Sequence, residues 1–365
     1  MDKKRKKIRV AVIFGGKSAE HEVSLQSAKN VIDAMDKNKY EITMIGVDKS
    51  GRWHKNDSNF LLNASNPKLI KLNSKDSTTV VPVTDNSSQL VALNSGQTST
   101  IDVAFPILHG PYGEDGTVQG LLKLAGIPFV GASVLGSAVG MDKDVMKRLF
   151  QEGKLRTPRF IVLQQTDSPN FYDIRKKLGK TLFVKPANMG SSVGVSKVKG
   201  ESEFHVALRK AFKFDTKLLV EECIKGREIE CAVLGNDKPI ASIPGEVLPM
   251  HDFYSYEAKY IDENGAVLEI PAKLTRSKIK EVQATAIKVF KTLCLEGMAR
   301  IDFFLTKDGK LYVNEANTIP GFTRISMYPK LWEASGIPYP SLIDKLISLA
   351  IERFNKESKL KTRYI

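Results

Sequence analysis

The sequence predicts an α/β protein in its first third, built on a parallel sheet, followed by mixed α+β units. Three observations carry that prediction. Apolar strand runs alternate with amphipathic helical stretches from Ile8 onward. Of 365 residues, 42% are hydrophobic and 26% charged, the balance of a chain with real buried cores and room for two or three domains. Finally, His109-Gly110 follows the end of a buried-type strand, where open α/β sheets place ligand groups.

Taken in order, residues 8–14 form a short apolar run that leads into Gly15-Gly16, and it reads as a first strand rather than the heart of a signal peptide. After Ser24, the residues Leu25, Ala28, Val31, Ile32 and Met35 recur at the helical period, and 41–47 reads as a second strand. Residues 73–100 are rich in Ser, Thr and Asn. Only 80–83 and 90–93 look extended there, so a surface hairpin or loop is expected. A strand at 101–108, a helix at 116–124 and a strand at 128–130 close this unit near residue 135.

A helix at 142–151 then leads to strands at 159–163 and 181–185, a glycine-rich loop at 190–194, a strand at 195–198 and a helix at 201–212. Strands follow at 217–222 and 228–234, then a Tyr-rich polar segment at 250–265, a helix at 276–293, a two-stranded unit at 297–317 and a closing helix at 341–354. No internal repeat is visible.

Lys and Arg number 55 against 41 Asp and Glu, a formal charge of +14 that suits nucleic acid, a membrane surface or small anionic ligands. Five of the six residues from Asp2 to Lys7 are basic and read as a solvated tail. The remaining charge is scattered, without the aromatic-interleaved stripe of an RNA platform, so nucleic acid is not expected as a partner. No apolar run approaches the roughly 20 residues that span a bilayer, so no membrane is expected either. Cys223, Cys231 and Cys294 offer no CxxC spacing, which argues against a disulfide framework or zinc ribbon and for a reducing cytoplasm.

The most informative local pattern is ARIDFFLT, then KDGK, then LYVNEAN, from Ala299 to Asn317. Asp308-Gly309 between two β-rich runs signals a hairpin. If the hairpin is symmetric about that dipeptide, Asp302 lies opposite Glu315 and Arg300 opposite Asn317, all on one face, with Phe304, Thr306, Leu311 and Val313 on the same face nearer the turn. Two carboxylates and an amide oxygen form a hard oxygen cage suited to Mg²⁺. The same residues also suit a surface salt bridge of Arg300 with Asp302 or Glu315.

Lys185 at a strand end, with the loop Gly190-Ser-Ser-Val-Gly194 five residues on, suits phosphate, although an ordinary turn also explains the loop. Gly16-Lys17-Ser18 matches the end of a P-loop, but the required first glycine is Ala11, so the P-loop fails. What remains there is a strand-loop-helix carrying Glu20, suited to a substrate ammonium or simply to a helix N-terminus. No GxGxxG, zinc-protease spacing among the five histidines, or Gly-x-Ser-x-Gly elbow is present.

Together FGGKSAEHEVS (from Phe14), HGPYGEDG (from His109), Met141-Asp142-Lys143, Val184-Lys185-Pro186, GSSVG (from Gly190), Ala258-Lys259-Tyr260, Arg300-Ile301-Asp302 and NEANT (from Asn314) resemble the D-alanine:D-alanine ligases of bacteria, members of the ATP-grasp superfamily. The resemblance runs in order from about residue 8 to residue 354. It implies a doubly wound pre-ATP-grasp domain at 1–138 that helps form the substrate site, a central ATP-grasp subdomain at 139–225 and a C-terminal subdomain at 226–365 with a lid loop at 250–265. ATP would lie between the last two. One D-alanine carboxylate would be phosphorylated, the amine of a second D-alanine would attack the acyl phosphate, and the dipeptide would feed peptidoglycan synthesis in the cytoplasm. Family members are usually homodimers.

Carried over residue by residue, the resemblance implies that Glu20 binds the first ammonium and forms a loop-closing triad with Ser191 and Tyr260, with His109 near that substrate. Lys143, Lys185 and Lys259 would face ATP phosphates, as would the loop of Ser191 and Ser192. Glu221, Glu222, Cys223 and Ile224 would line the adenine pocket largely by backbone groups, Glu228 would bind the ribose, and Phe253 would pack on the adenine side. Asp302, Glu315 and Asn317 would hold two Mg²⁺, or Mn²⁺, with Asn314 beside the nucleotide. Arg300 and the Gly321 N–H would stabilise the oxyanion, and Ser326 with the Met327 N–H would receive the second carboxylate. Tyr260, where D-lactate-using relatives resemble Phe, favours the dipeptide over the alternative of a D-lactate acceptor. Arg324 and the Ser/Thr/Asn-rich insertion are the departures noted.

Overall fold

The computed structural model describes residues 6–56, 61–62, 71–72, 77–249, 266–361 and 364. Strand β1 (Ile8–Gly15) is followed by α1 (His21–Ala34), β2 (Tyr40–Val47), β3 (Trp53–Asn56), the outlying pair β4 (Leu61–Leu62) and β5 (Lys71–Leu72), then β6 (Thr78–Pro82), β7 (Gln89–Ala92), β8 (Thr98–Thr100) and β9 (Val103–Ile107). Seven of these form one sheet in the order β8-β7-β6-β3-β2-β1-β9. Val10 to Phe14 are buried throughout, as a central strand covered on both faces requires. Strands β2 and β9 flank β1 in parallel, whereas β3, β6, β7 and β8 continue the sheet antiparallel. The Ser/Thr/Asn-rich stretch is therefore a hairpin, as expected, but one stitched into the sheet through β3, because Val80 and Leu90 are buried.

Helix α1 starts at His21, earlier than its apolar periodicity suggests. Ser24 is an interior residue whose N–H bonds the Glu20 carbonyl, while its hydroxyl accepts from the Gly15 N–H at 2.7 Å and donates to the Ile107 carbonyl, tying α1 to both central strands. Helix α2 (Thr117–Leu124) covers the sheet face opposite α1, its Val118 and Leu122 clustering with Ala11 and Ile13, and α3 (Val134–Met141) follows it. The second was not expected from the sequence. Gly136 and Gly140 dilute its helical signal, and Gly140 is there for close approach, since a Cβ would fall 2.5 Å from Thr318 Cγ2.

The middle of the chain runs α4 (Lys143–Glu152), β10 (Phe160–Gln164), α5 (Phe171–Leu178), β11 (Leu182–Pro186), β12 (Ser196–Val198), α6 (Glu201–Ala211) and β13 (Lys217–Glu222). Its four strands pair antiparallel in the order β10-β13-β11-β12. Asp142 caps α4 by accepting from the Asp144 and Val145 N–H groups. The last part comprises β14 (Gly226–Gly235), β15 (Ile240–Ala241), β16 (Gly245–Pro249), β17 (Ala266–Glu269), α7 (Arg276–Thr292), β18 (Gly297–Thr306), β19 (Leu311–Asn317), α8 (Met327–Ala334) and α9 (Tyr339–Glu357). Its sheet runs β17-β16-β14-β18-β19, with β15 on β14. Strands β16 and β17 pair up to Pro249 and Ala266; the expected lid at 250–265 joins them and lies outside the described residues.

The first and last parts share one apolar core. Val12, Phe14 and Phe105 of the N-terminal sheet cluster with Phe322, Tyr328 and Trp332, and the Phe105 and Phe322 rings meet edge-on at 6.0 Å. Arg353 of α9 reinforces the junction by donating to the Gly131 carbonyl at 2.6 Å and the Phe129 carbonyl at 2.8 Å. The three cysteines are unpaired. No helix among the described residues is long and apolar enough to cross a membrane.

Candidate active site

Glu20 sits at the N-terminal end of α1, nearly buried, and the Ser191 hydroxyl donates to its carboxylate from the glycine-rich loop after β11. Two glycines give it room. A Cβ at Gly110 would fall 2.8 Å from Glu20 Oε2, and one at Gly190 would fall 3.1 Å from the same atom. The carboxylate is thus enclosed by main chain from β9's end and from the loop. Ser191 and Ser192 both hold left-handed backbone, at φ 51° and 59°, a conformation that non-glycine residues keep only when their surroundings enforce it.

His109 is also buried, and its partners fix its state. Its Nδ1 lies 3.0 Å from the Ile319 carbonyl, which only accepts, so Nδ1 carries the proton. Nε2 then accepts from the Ser27 hydroxyl at 3.2 Å, and the Ser27 oxygen accepts in turn from the Phe322 N–H at 3.3 Å. Burial pushes the imidazole pKa down, with the Glu20 charge opposing, so His109 stays neutral. Its role in the fold is to fasten the loop at 319–322, which includes Gly321, to the end of β9.

On α4, Lys143 donates to the Met189 carbonyl at 2.7 Å and stands 3.6 Å from Glu315 Oε2. One turn on, Lys147 is fully buried, 3.2 Å from Glu221 Oε1, while Lys185 reaches Glu221 Oε2 at 2.6 Å. Burial drives the Lys147 ammonium down to about 8 despite Glu221. For Glu221, burial alone would raise the pKa, but the two lysines outweigh it and hold the carboxylate ionised. At residues 221–224, expected to line the adenine pocket largely by backbone groups, two N–H groups are already engaged. The Glu222 and Cys223 N–H groups bond the Arg159 and Thr181 carbonyls, the Glu222 side chain pairs with Arg159, and the buried feature is the Glu221 side chain.

The hairpin of β18 and β19 places Asp302 opposite Glu315 and Arg300 opposite Asn317, as predicted, but by a different path. The turn is not symmetric about Asp308-Gly309. Thr306 and Lys310 close a three-residue loop in which Gly309 takes φ 80°, so Leu305 faces Leu311 and Phe303 faces Val313. A bulge beside Asp302 then absorbs Asn314 as the extra residue and restores the predicted pairing at the open end. Consequently Leu311 and Val313 do not share the polar face with Phe304 and Thr306. They are buried with Phe303 and Leu305, where the apolar core claims them.

At that open end, the Arg300 Nε and Nη2 donate to Asp302 Oδ1 and Oδ2, both at 2.8 Å, and Nε lies 2.8 Å from Glu230 Oε2 on β14. Asn317 Nδ2 donates to Asp302 Oδ2 at 3.0 Å, which turns its amide oxygen away from that carboxylate. Burial would lower the Arg300 pKa, but Asp302 and Glu230 raise it well above its ordinary value. The expected salt bridge with Asp302 is thus present alongside the oxygen donors. Among the described residues no three His, Cys, Asp or Glu side chains converge to hold a metal alone. Two facing carboxylates plus an amide fit a Mg²⁺ that takes its remaining ligands from phosphates and water.

Ser326 holds the N-cap position of α8 without a side-chain bond into the helix, its hydroxyl accepting instead from the Thr323 N–H at 3.1 Å, and Met327 is the first helical residue; a Cβ on Gly321 would lie 3.0 Å from Ser326 Oγ. Glu228 and Glu230 alternate with buried Ile229 and Cys231, so both lie on the same half-exposed face of β14. Phe253, Lys259 and Tyr260 lie outside the described residues. Four residues of this neighbourhood were missed in the sequence. Lys147 follows Lys143 by one helical turn, and Glu230 follows Glu228 by one strand period, signals that were available. Ser27 and Glu114 gave less. Glu114 accepts from the Gly110 N–H at 2.5 Å, and burial, with Glu20 nearby, raises its pKa to about 8.

Residues 9–132 match the family described as D-ala D-ala ligase N-terminus, and residues 149–348 match D-ala D-ala ligase C-terminus. The chain belongs to the D-alanine–D-alanine ligase family. A D-alanine–D-alanine ligase of Oceanobacillus iheyensis is 55% identical over 360 residues, 98% of each chain. The ligase of Coxiella burnetii superposes with a TM-score of 0.85 at 41% identity, over 97% of this chain and 96% of that one. A Bacillus anthracis ligase solved with ATP gives 0.71 at 31% identity, over 96% and 99%. Within this ligase family the expected two-part ATP-grasp architecture after an N-terminal α/β unit holds for the chain.

Proposed function

We propose that this chain joins two D-alanines into D-alanyl-D-alanine at the expense of ATP, in the cytoplasm and as a homodimer, for peptidoglycan precursors. Relatives at 51 to 55% identity over 98% of the chain carry that activity in their names, which favours D-alanine over D-lactate as acceptor. The domain division at 1–138, 139–225 and 226–365 is part of the same proposal. The observation that carries the chemistry is the pairing of Asp302 with Glu315 beside Arg300, with Lys143 reaching across from α4.

A carboxylate is a poor acyl donor until one oxygen leaves as phosphate. ATP therefore transfers its γ-phosphoryl to the first D-alanine, giving D-alanyl phosphate and ADP. The second amine, once deprotonated, attacks the carbonyl carbon, and phosphate departs. Asp302, Glu315 and Asn317 would hold Mg²⁺ or Mn²⁺, which when bound neutralises phosphate charge. Lys143 and Lys185 add fixed positive charge, with Lys259, Asn314 and Ser192 around the nucleotide. Glu221 to Ile224, Glu228 and Phe253 hold its base and ribose.

Glu20, enclosed and bonded by Ser191, receives the first ammonium, with Tyr260 completing the triad and His109 fixing the wall behind it. Arg300 and the Gly321 N–H face the oxyanion. Ser326 and the Met327 N–H, at a helix N-terminus, suit the second carboxylate. The test is phosphate release with ATP and Mg²⁺, comparing D-alanine, L-alanine, D-alanine with D-lactate, and no amino acid, with products identified by mass. Release that requires D-alanine and yields the dipeptide supports the reading. In the same assay Asp302→Asn and Glu315→Gln are expected to abolish turnover in folded protein, and near-normal rates in both would overturn the metal assignment.

A further inference from the structure

We propose that Glu230 is a positioning residue for Arg300, the anion that keeps the guanidinium in the site when a divalent cation takes Asp302. The inference rests on the reading of Asp302, Glu315 and Asn317 as the metal-holding group.

The argument starts from sheet register. Strand β14 pairs with β18 so that Glu230 lies opposite Asp302, and Asp302 in turn lies opposite Glu315 on β19. Arg300, two residues before Asp302 on the same face, sits between the first two carboxylates. Its Nε is 2.8 Å from both Glu230 Oε2 and Asp302 Oδ1, and its Nη2 is 2.8 Å from Asp302 Oδ2. The three side chains are only 13 to 19% exposed, so water does little to screen them.

Asp302 therefore spends both oxygens on the guanidinium, and Oδ2 also accepts from Asn317. A divalent cation at Asp302 competes with Arg300 for the same carboxylate and repels it. With Asp302 as sole anion, the guanidinium would either cling to it and exclude the metal, or be left charged, buried and unpaired. Glu230 removes that conflict. It offers Arg300 a carboxylate at 2.8 Å, an ion pair that the Nε hydrogen, now aimed at Asp302, can turn toward, and that does not join a metal-binding cluster, since no three acidic side chains converge among the described residues. A switch of the guanidinium from two partners to one keeps it paired in both states, at the position where charge develops on the substrate.

An ordinary structural ion pair would stabilise the sheet without touching the metal, and a carboxylate acting by its own field would attract the metal whether or not Arg300 were present. A double-mutant cycle on metal affinity separates these. Mn²⁺ is titrated into protein saturated with β,γ-methylene-ATP and followed by water-proton relaxation, with Mn²⁺–nucleotide binding measured without protein. Glu230→Gln is expected to weaken Mn²⁺ roughly tenfold in the wild-type background and less than about twofold beside Arg300→Ala, a coupling of the size found between contacting charges.

Unchanged Mn²⁺ affinity in folded Glu230→Gln overturns the proposal. So does an equal loss with and without Arg300, which assigns the effect to the charge itself. Should Glu230→Gln fail to fold by circular dichroism, Glu230→Asp keeps the charge but withdraws it by one methylene, and the same Arg300-dependent loss is expected. Absence of Mn²⁺ binding by the wild-type protein would instead overturn the metal reading, and the proposal with it.

Discussion

At His109 the hydrogen-bond partners and burial act together. Nδ1 must donate to a carbonyl, and burial lowers the pKa below the ordinary 6.5. Between those two values the unfolded chain binds a proton that the folded chain refuses, so stability rises with pH through this window and is lost as pH falls below about 6.5. His109→Gln is expected to flatten that slope, read from urea unfolding at pH 5.5 and 7.5. Lys147 presents the opposite situation, a buried cation whose removal strands the Glu221 charge with Lys185 alone. Lys147→Met should cost about 1–3 kcal/mol in chemical denaturation, less than leaving a buried charge unpaired, because Lys185 still holds Glu221. Neither role was legible in the sequence. The strand end marked His109 for a ligand group and the family resemblance put it near the substrate, but its carbonyl partner lies 210 residues away.

Among the elements, the hairpin of β18 and β19 shows how a correct prediction can follow from an incorrect turn. Apolar alternation and Asp308-Gly309 announced the hairpin, and the register at Asp302 and Glu315 is as expected. A three-residue loop displaced the pairing by one residue near the turn, and the bulge at Asn314 displaced it back. Bulges leave no reliable mark in composition, because an extra half-exposed Asn is as acceptable in a regular strand. Gly309 is the point where the loop type can be tested. At φ 80° a side chain is strained, so Gly309→Ala should lower stability by about 1–2 kcal/mol while dipeptide synthesis persists. The unexpected α3, α5 and α8 have eight residues each, a length at which periodicity is a weak signal, although α2, equally short, was expected.

For the whole molecule, the N-terminal sheet and the C-terminal helices are one packed body along β1, β9, α8 and α9. This junction carries the site, because Glu20 and His109 come from one side and the loop at 319–326 from the other. Arg353 holds it by covering two carbonyls and lying over the Phe129 ring at 4.6 Å. Arg353→Met leaves those carbonyls buried without their donor, at about 1–3 kcal/mol each. The expected outcome is a lowered thermal midpoint together with a raised KM for the first amino acid, checked by calorimetry and initial rates. A loss of stability with unchanged KM would confine Arg353 to the scaffold.

The sequence by itself determined the class of fold, the order of the elements beside which Glu20, His109, Lys185 and Asp302 lie, the rejection of a P-loop, and the family resemblance. These follow from local periodicity, turn chemistry and ordered short motifs, which are properties of neighbouring residues. Only the tertiary structure decided that Ser27 and His109 fasten the loop of Gly321, that Lys147 and Lys185 share Glu221, and that Glu230 shares Arg300 with Asp302. Those pairings join residues far apart in the chain, and their energies depend on distance and burial, which exist only once the sheets have packed.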